Sequence, residues 1–226
     1  MESVNAFWYM SNNFGDNMNY YLIKALSGKE PIMSDRTNPH FIVCGSILAE
    51  ARNTSTVWGA GFGSETDILG DDVNPEIISV RGHLTQKSLD YNGKQYGSVV
   101  GDPALLMPMF YKPKIERKYK VGVIPHWSEG FEKDIREGEL FINPLKPVTE
   151  VIDDILSCEG IGSSSLHGLI LADAYGVPNI CLGQGFKFKD YYSTTDKPKD
   201  CNDAKPFVSH YRYDLNTLLN SCPFKR

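Results

Sequence analysis

The sequence lacks the cysteine pattern of a disulfide framework or of a structural zinc site. Its five cysteines are an odd number, and no two of them have CxxC spacing. They are Cys44, Cys158, Cys181, Cys201 and Cys222. We therefore expect free thiols in a reducing compartment, and a protein that uses no metal and no other cofactor.

Long apolar runs and an excess of basic residues are missing as well. No stretch approaches the roughly 20 apolar residues that cross a bilayer, and the N-terminus lacks the regions of a signal peptide. The 23 basic and 28 acidic residues give a formal charge of −5, which argues against a nucleic acid as the main partner. We expect a cytoplasmic protein that meets a membrane, if at all, as a peripheral contact at the inner face.

Strand and helix patterns alternate along the first half of the chain. With 226 residues, 41% of them hydrophobic, the chain is long enough for one large domain or two small ones. Helices are predicted from Met18 to Leu26 and over HLTQKSLDY. The predicted strands lie in the run from Val4 to Met10 and in PHFIVCGSIL, STVWGAGFG, IISVRG and YGSVVGD.

A second alternation follows the polar, basic segment YKPKIERKYK, which predicts a linker. We expect an α/β protein of two Rossmann-like domains, residues 1–112 and 113–226, each with a parallel sheet and facing each other across a cleft. The tail after residue 190 is predicted to be a loop, and a last helix in YRYDLNTLLNSC is expected to cross back over the first domain. Further elements are predicted in KVGVIPHW, ELFINPLKP, VTEVIDDILSC and NICLGQG.

The stretch CEGIGSSSLHGLILADAYGVP places a histidine at the start of a predicted helix. The helix begins near His167, and Gly176 followed by Pro178 ends it. Ser163 to Ser165 are expected to supply oxygens to its free amides. A phosphate or carboxylate fits such a helix start, because unpaired N–H groups and the positive end of the helix dipole lie there. From these residues alone, an ordinary helix cap explains the pattern equally well.

Two more places attract interest because each follows a predicted strand. Gly15 lies in a strand-to-helix turn in which Asn13 or Asp16 is expected to cap the helix. Arg81 ends the strand IISVRG, where its guanidinium would point an array of donors at an anion in the ligand crevice. The alternatives are an ordinary turn and a surface ion pair.

With these residues in hand, the chain resembles the polysaccharide pyruvyl transferase family. The similarity runs through most of the chain, and GSSSLHGLILADAYGVP is its most specific part. The other matching segments are NNFGDNMNYYLIKAL, VWGAGF, VRG, VGDPALL, VIPHW and FKFKDYY. The resemblance implies two domains similar to glycosyltransferases of the B fold, with the acceptor on the N-terminal side.

The resemblance also implies an activity in exopolysaccharide biosynthesis. Family members move the enolpyruvyl group of phosphoenolpyruvate onto two hydroxyls of a hexose, in a polysaccharide or its lipid-linked repeat unit. The product is a pyruvate ketal, and phosphate is released. The family's arginine after the third strand falls on Arg81, its histidine on His167, and the neighbouring leucine on Leu166. Some members carry an arginine where this chain has Ser165.

The sequence then predicts a division of roles. His167 is the expected general acid and Arg81 the main anion clamp. His126, Asn13 and Ser164 are further candidates for the wall of the cleft. Turns and helices explain Asp16, Asp102 and Asp173 better than a catalytic role does, so they are weaker acid or base partners.

The segment FKFKDYY is a candidate for the acceptor site. Lys187 can meet a phosphate, and Tyr191 can stack on the apolar face of a sugar. An exposed loop without a role explains the same residues.

Two competing functions stay open, because a fold does not determine an activity. One is a glycosyltransferase that uses a nucleotide sugar, and the other is a catalytically silent sugar-binding protein.

Overall fold

The computed structural model describes residues 3–129, 135–196 and 205–225 of the chain. Six parallel strands form the first sheet, in the order β2-β1-β3-β4-β5-β6. They are β1 (Ser3–Ala6), β2 (Glu30–Met33), β3 (His40–Ile42), β4 (Ser55–Trp58), β5 (Glu76–Val80) and β6 (Val99–Val100). Parallel strands need crossover connections, so helices cover this sheet.

Two α-helices belong to the first sheet, α1 (Phe14–Ser27) and α2 (His83–Tyr91). The Asn13 side chain caps α1 by accepting from the backbone N–H of Gly15 at 3.2 Å, and α1 ends at Gly28 in the left-handed region, with φ of 63°. Two short 3-10 helices complete this half, Leu48–Glu50 and Pro103–Met109.

Four parallel strands form the second sheet, in the order β10-β9-β7-β8. They are β7 (Tyr119–Ile124), β8 (Glu139–Phe141), β9 (Cys158–Ser163) and β10 (Asn179–Cys181). The helices of this half are α3 (Val148–Leu156), α4 (Leu166–Ala174), α5 (Phe186–Tyr192) and α6 (Leu215–Asn220). The predicted α/β class with parallel sheets is thereby confirmed, and it is consistent with a Rossmann-like fold.

Several local predictions were wrong. Strands β2 and β9 are absent from the prediction. Strand β9 is buried from Gly160 to Ser163, and such strands show no polar alternation in the sequence. FKFKDYY is helix α5, not a loop, and the predicted linker already enters β7 at Tyr119. Residues 197–204 of the predicted tail loop lie outside the described residues.

Elements from the two halves of the chain pack on each other. The 3-10 helix Pro103–Met109 contacts both α4 and α6, and α5 contacts α2. The indole N–H of Trp58, at the end of β4, donates to the hydroxyl of Ser221 just after α6, at 2.9 Å. The end of the chain is therefore attached to the first sheet.

A buried ion pair connects the end of β5 to α5. Arg81, which follows β5, and Asp190 in α5 both have fully buried side chains. Nε and Nη2 of Arg81 each lie 2.9 Å from Oδ2 of Asp190. Thr85 in α2 adds donors, because its backbone N–H and its hydroxyl donate to the same carboxylate at 2.8 and 2.7 Å. The pair is thus well supplied with hydrogen bonds, as a buried charge requires.

Removal of the carboxylate should destabilise the protein strongly. We expect Asp190→Ala to lower the free energy of unfolding by about 3–5 kcal/mol, because Arg81 would stay buried without its counter-ion. Urea denaturation measures the change. The matched control is Glu30→Ala, which removes the exposed pair between Lys24 and Glu30 and should leave the midpoint almost unchanged. Equal midpoints for the two variants would contradict the structural role of the buried pair.

Candidate functional site

A pocket lies where residues that follow the carboxyl ends of strands from both sheets meet. Its wall from the first half follows β1 and β3 and comprises Tyr9, Asn13, Asp16, Gly45, Ser46 and Ile47. Its wall from the second half comprises His126, Trp127, Ser165, Leu166, His167 and Lys187. In parallel α/β sheets, ligands bind at this end of the strands. Hollows beside α2, and between α1 and the start of α3, contain none of the predicted catalytic residues.

His167 lies in the first turn of α4 and is mostly buried, with 8% of its surface exposed. Its ring is held between the two halves of the chain. Nδ1 lies beside Gly15, where an added Cβ would approach to 2.6 Å, and Nε2 lies 3.8 Å from Oδ2 of Asp102. Burial lowers the pKa of His167, while the negative charges of Asp102 and Asp16 act in the opposite direction.

The start of α4 has no side-chain cap, which corrects the expectation for the three serines. The hydroxyl of Ser163 accepts from the backbone N–H of Ser165 at 3.0 Å, ahead of the helix. Ser164 accepts from the N–H of His126 at 2.8 Å and donates to Glu129. Because these hydroxyls are used elsewhere, the helix start presents backbone N–H groups and the positive end of its dipole to the pocket.

Lys187 brings a positive charge to the same pocket from the first turn of α5. Burial lowers its pKa, as does the positive charge of Arg81, whereas Asp16 raises it. His126 lines the same pocket, and its pKa is lowered by burial and, to a smaller extent, by the positive charge of Lys187. The pocket thus combines a lysine, two histidines of lowered basicity and an uncapped helix start. This arrangement suits a small anion.

Arg81 does not line the pocket, although the sequence predicts it as the anion clamp. Its guanidinium is fully buried and is paired with Asp190. One further donor, Nη1, reaches the hydroxyl of Ser46 at 2.9 Å, and Ser46 does line the pocket. Arg81 therefore holds the pocket wall from behind. Gly61 makes room for it, since a Cβ there would lie 2.7 Å from the guanidinium carbon.

Tyr191 corrects another expectation, because its side chain is fully buried and cannot stack on a sugar. Its hydroxyl donates to Oδ2 of Asp173 at 3.1 Å, inside the protein. Burial raises the pKa of this phenol well above its usual value. The Tyr191 side chain points into the protein, whereas Lys187 in the same helix lines the pocket. The sequence could not distinguish these two directions, because the segment was not predicted as a helix.

Of the remaining predicted residues, the structure brings Asn13, Asp16, His126, Ser165 and Leu166 together in the pocket wall. Gly15 lies behind this wall against the His167 ring, and Ser164 is also outside the lining residues.

Two aromatic residues of the pocket were not predicted as site residues, and one carboxylate near it was predicted only as a weaker candidate. Tyr9 and Trp127 line the pocket with 48% and 50% of their surfaces exposed, so a ligand can reach their rings. Asp102 is fully buried behind His167, although the sequence pattern GDP favours an ordinary turn. The position of Asp102 directly after a predicted strand was the available signal, since side chains at strand ends gather at one edge of a parallel sheet.

One cluster has residue types that bind metals. Ligand atoms of Cys44, Asp102 and His167 all lie within 4.8 Å of one another, and all three residues are buried. Burial raises the pKa of the Cys44 thiol well above its usual value, and the charges of Asp102 and Asp16 act in the same direction. The protonated thiol is a poor ligand, since metals bind the thiolate.

Most of the pocket residues lie in a stretch of the chain that matches a known protein family. The family model of the polysaccharide pyruvyl transferases matches residues 4–185, which include both walls of the pocket except Lys187. The chain belongs to the polysaccharide pyruvyl transferase family. The resemblance stated from the sequence motifs is thereby confirmed.

Two curated proteins are similar to this pyruvyl transferase family member. An uncharacterized protein of Acanthamoeba polyphaga mimivirus is 29% identical over 180 residues, which are 74% of this chain and 62% of that protein. The succinoglycan biosynthesis protein ExoV of Rhizobium meliloti is 30% identical over 201 residues, which are 80% of this chain and 61% of that protein. The chain thus spans about three fifths of the length of these relatives.

Within residues 3–129, 135–196 and 205–225, no helix has the length and apolar character needed to span a membrane. This finding agrees with the lack of long apolar runs in the sequence.

The close contact between Gly15 and His167 can be tested by a single methyl group. Gly15→Ala should displace the imidazole, because the new Cβ would lie 2.6 Å from Nδ1. We expect a clear change in the ring signals of His167 in spectra of ¹⁵N-histidine-labelled protein. Gly70→Ala is the control, since its Cβ would make only an ordinary contact at 3.4 Å with Val73. Unchanged His167 signals in Gly15→Ala would refute the contact.

Proposed function

We propose that this protein transfers the enolpyruvyl group of phosphoenolpyruvate to two hydroxyls of a hexose, with formation of a pyruvate ketal and release of phosphate. The observation that carries the proposal is the pocket itself. A histidine, a lysine and an uncapped helix start converge there, in a chain of the polysaccharide pyruvyl transferase family. The relative ExoV is named for succinoglycan biosynthesis, which is consistent with a glycan as the acceptor.

The donor has two anionic groups, a phosphate and a carboxylate, and the pocket offers two kinds of positive site. The start of α4 supplies backbone N–H groups at Leu166 and His167, and Lys187 supplies an ammonium group. We assign Lys187 the part of the anion clamp that the sequence predicts for Arg81. Arg81 keeps a supporting part, because it fixes Ser46 in the pocket wall.

We assign to His167 the transfer of the proton that the reaction needs. In the proposed sequence, its imidazolium delivers a proton to the methylene carbon while the first sugar hydroxyl attacks the carbon that bears the phosphate. That carbon becomes tetrahedral, and the phosphate departs with the electrons of the broken C–O bond and takes up the proton of the first hydroxyl. The second hydroxyl then closes the ketal and returns its proton to His167. A positioned acid of this kind typically contributes about 10²- to 10⁴-fold to a rate.

The acceptor is proposed to bind against the exposed rings of Tyr9 and Trp127 at the pocket wall. Aromatic faces pack well on the apolar face of a hexose. The acceptor is then a hexose of a glycan or of a lipid-linked oligosaccharide, and a cytoplasmic protein in peripheral contact with the membrane could reach it. In the same proposal, residues 1–112 and 113–226 act as two Rossmann-like domains whose cleft resembles that of the glycosyltransferase B fold.

Loss of the Lys187 ammonium group should weaken donor binding. We expect Lys187→Met to raise the KM for phosphoenolpyruvate by about tenfold or more, which corresponds to the loss of one charge-assisted contact. Lys189→Met is the matched control, because Lys189 lies in the same helix, is exposed and does not line the pocket. Steady-state release of phosphate measures both variants. Equal KM values for Lys187→Met and the unaltered protein would contradict the assignment.

Loss of the His167 imidazole should abolish most of the activity. We expect His167→Ala to lower kcat for ketal formation by about 10²-fold or more. His210→Ala, at an exposed histidine away from the pocket, should leave kcat unchanged.

The assay offers phosphoenolpyruvate or nucleotide sugars together with a panel of glycosides, and it follows phosphate, nucleotide and product mass. Phosphate release with the mass gain of a ketal supports the proposal. Nucleotide release would indicate a glycosyltransferase instead, and no release from either donor would indicate a silent sugar-binding protein.

A further inference from the structure

We propose that Asp102 is a positioning residue that keeps a proton on Nε2 of His167 and so makes Nδ1 the nitrogen that exchanges a proton with the ligand. The inference rests on the proposed function only in its last step, the effect on the reaction. The orientation of the ring and the place of its proton are properties of the protein itself.

Asp102 is held in a single orientation by the backbone around it. It follows β6 and caps the 3-10 helix Pro103–Met109, because its Oδ1 accepts from the backbone N–H of Ala104 at 2.9 Å. That 3-10 helix packs against α4, which carries His167. With Oδ1 occupied by the cap, Oδ2 is the oxygen that faces the imidazole, 3.8 Å from Nε2.

Oδ2 of Asp102 and Nε2 of His167 share an unusual property. Both are buried side-chain atoms without a hydrogen-bond partner among the described residues. Unpaired buried polar atoms are costly, and most native proteins pair them. A closure of about 1 Å would turn this contact into a charge-assisted hydrogen bond, and catalytic hydrogen bonds are often long before a ligand binds.

The other ring nitrogen has a different environment. Nδ1 lies against Gly15, where an added Cβ would come within 2.6 Å, and it is not among the buried atoms without a hydrogen-bond partner. His167 itself lines the pocket. A proton held on Nε2 by Asp102 therefore leaves Nδ1 free for the ligand, as a carboxylate behind an imidazole does in other catalytic pairs.

Other charged groups act on the ring as well. Asp16 favours the protonated imidazole, as Asp102 does, whereas Arg81 and Lys187 disfavour it. The Cys44 thiol completes the surroundings within 4.8 Å. Burial raises the pKa of Asp102 itself, but the positive charges of His167 and Arg81 oppose that change. Protonation of His167 thus stabilises the carboxylate form of Asp102, and the carboxylate stabilises the imidazolium.

A metal ion between Cys44, Asp102 and His167 is the rival explanation of the two unpaired atoms. It would require a thiolate at Cys44 and an unprotonated Nε2, so it makes the opposite prediction for the proton on Nε2. The two explanations can be separated in the full chain without any substrate.

The experiment records ¹⁵N spectra of ¹⁵N-histidine-labelled protein, with His167 assigned by its loss in His167→Ala. In the unaltered protein we expect the neutral ring to carry its proton on Nε2. In Asp102→Asn, the side-chain oxygen can still cap the 3-10 helix, but the amide group would donate to Nε2 and shift the proton to Nδ1. Asp214→Asn is the matched control, because Asp214 caps α6 through the same kind of bond and does not contact His167.

The expected result for Asp102→Asn is a reversed tautomer and a fall in kcat of about 100-fold or more, with an almost unchanged KM for phosphoenolpyruvate. Asp214→Asn should change neither. A proton on Nδ1 in the unaltered protein, or identical His167 signals in Asp102→Asn, would overturn the inference. The position of the proton in the unaltered protein is measured without any variant. The inference can therefore be overturned even if Asp102→Asn does not fold.

Metal analysis of the purified protein completes the test. About one zinc per chain that is lost in Cys44→Ser would overturn the inference in favour of the metal site. The expected tautomers together with no ketal formation in the unaltered protein would support the placement of the proton and would contradict the proposed function alone.

Discussion

The buried pair of Arg81 and Asp190 is the interaction on which the arrangement of the pocket depends. It fastens α5, from the second half of the chain, to the end of β5 in the first sheet. Lys187 lies one turn earlier in α5, and Ser46 is bonded to the same guanidinium. An ion pair of this kind contributes little net stability compared with apolar packing, but its geometry is demanding. It therefore determines where two walls of the pocket lie relative to each other.

The second constraint is electrostatic, because several positively charged or positively polarised groups meet in the pocket. Three hydroxyls stand before α4, yet none of them caps it, so the N–H groups at its start are available to a ligand. Burial opposes the charged forms of Lys187 and His167, while Asp16 favours both. An arriving dianion would add to the effect of Asp16 and favour the protonated lysine and histidine. Under the proposed function, binding of an anion and protonation of His167 would therefore be coupled in this pocket.

Much of the fold and part of the site could be predicted from local patterns. Apolar runs that end in glycine identified most of the strands, and the motif around His167 identified the helix start and the family. The pattern could not reveal β9, because a strand buried on both faces has no alternation. It also gave wrong positions for the side chains of Arg81 and Tyr191. The local sequence around such a residue is the same whether its side chain points to a ligand or to a partner that is distant in the sequence. Asp190 is 109 residues from Arg81, and no local spacing connects them.

The sequence by itself determined the class of fold, the family and the position of His167 at the start of a helix, because these follow from periodicity and from a contiguous motif. Only the tertiary structure decided which charges face the ligand. It buried Arg81 against Asp190, brought Lys187 to the pocket and set Asp102 behind the imidazole with Gly15 on its other side. The physical reason is that contacts between distant segments decide which side chains are buried and which are paired. A charged group that is buried beside a counter-ion is not available to a ligand, whereas one that faces the pocket is.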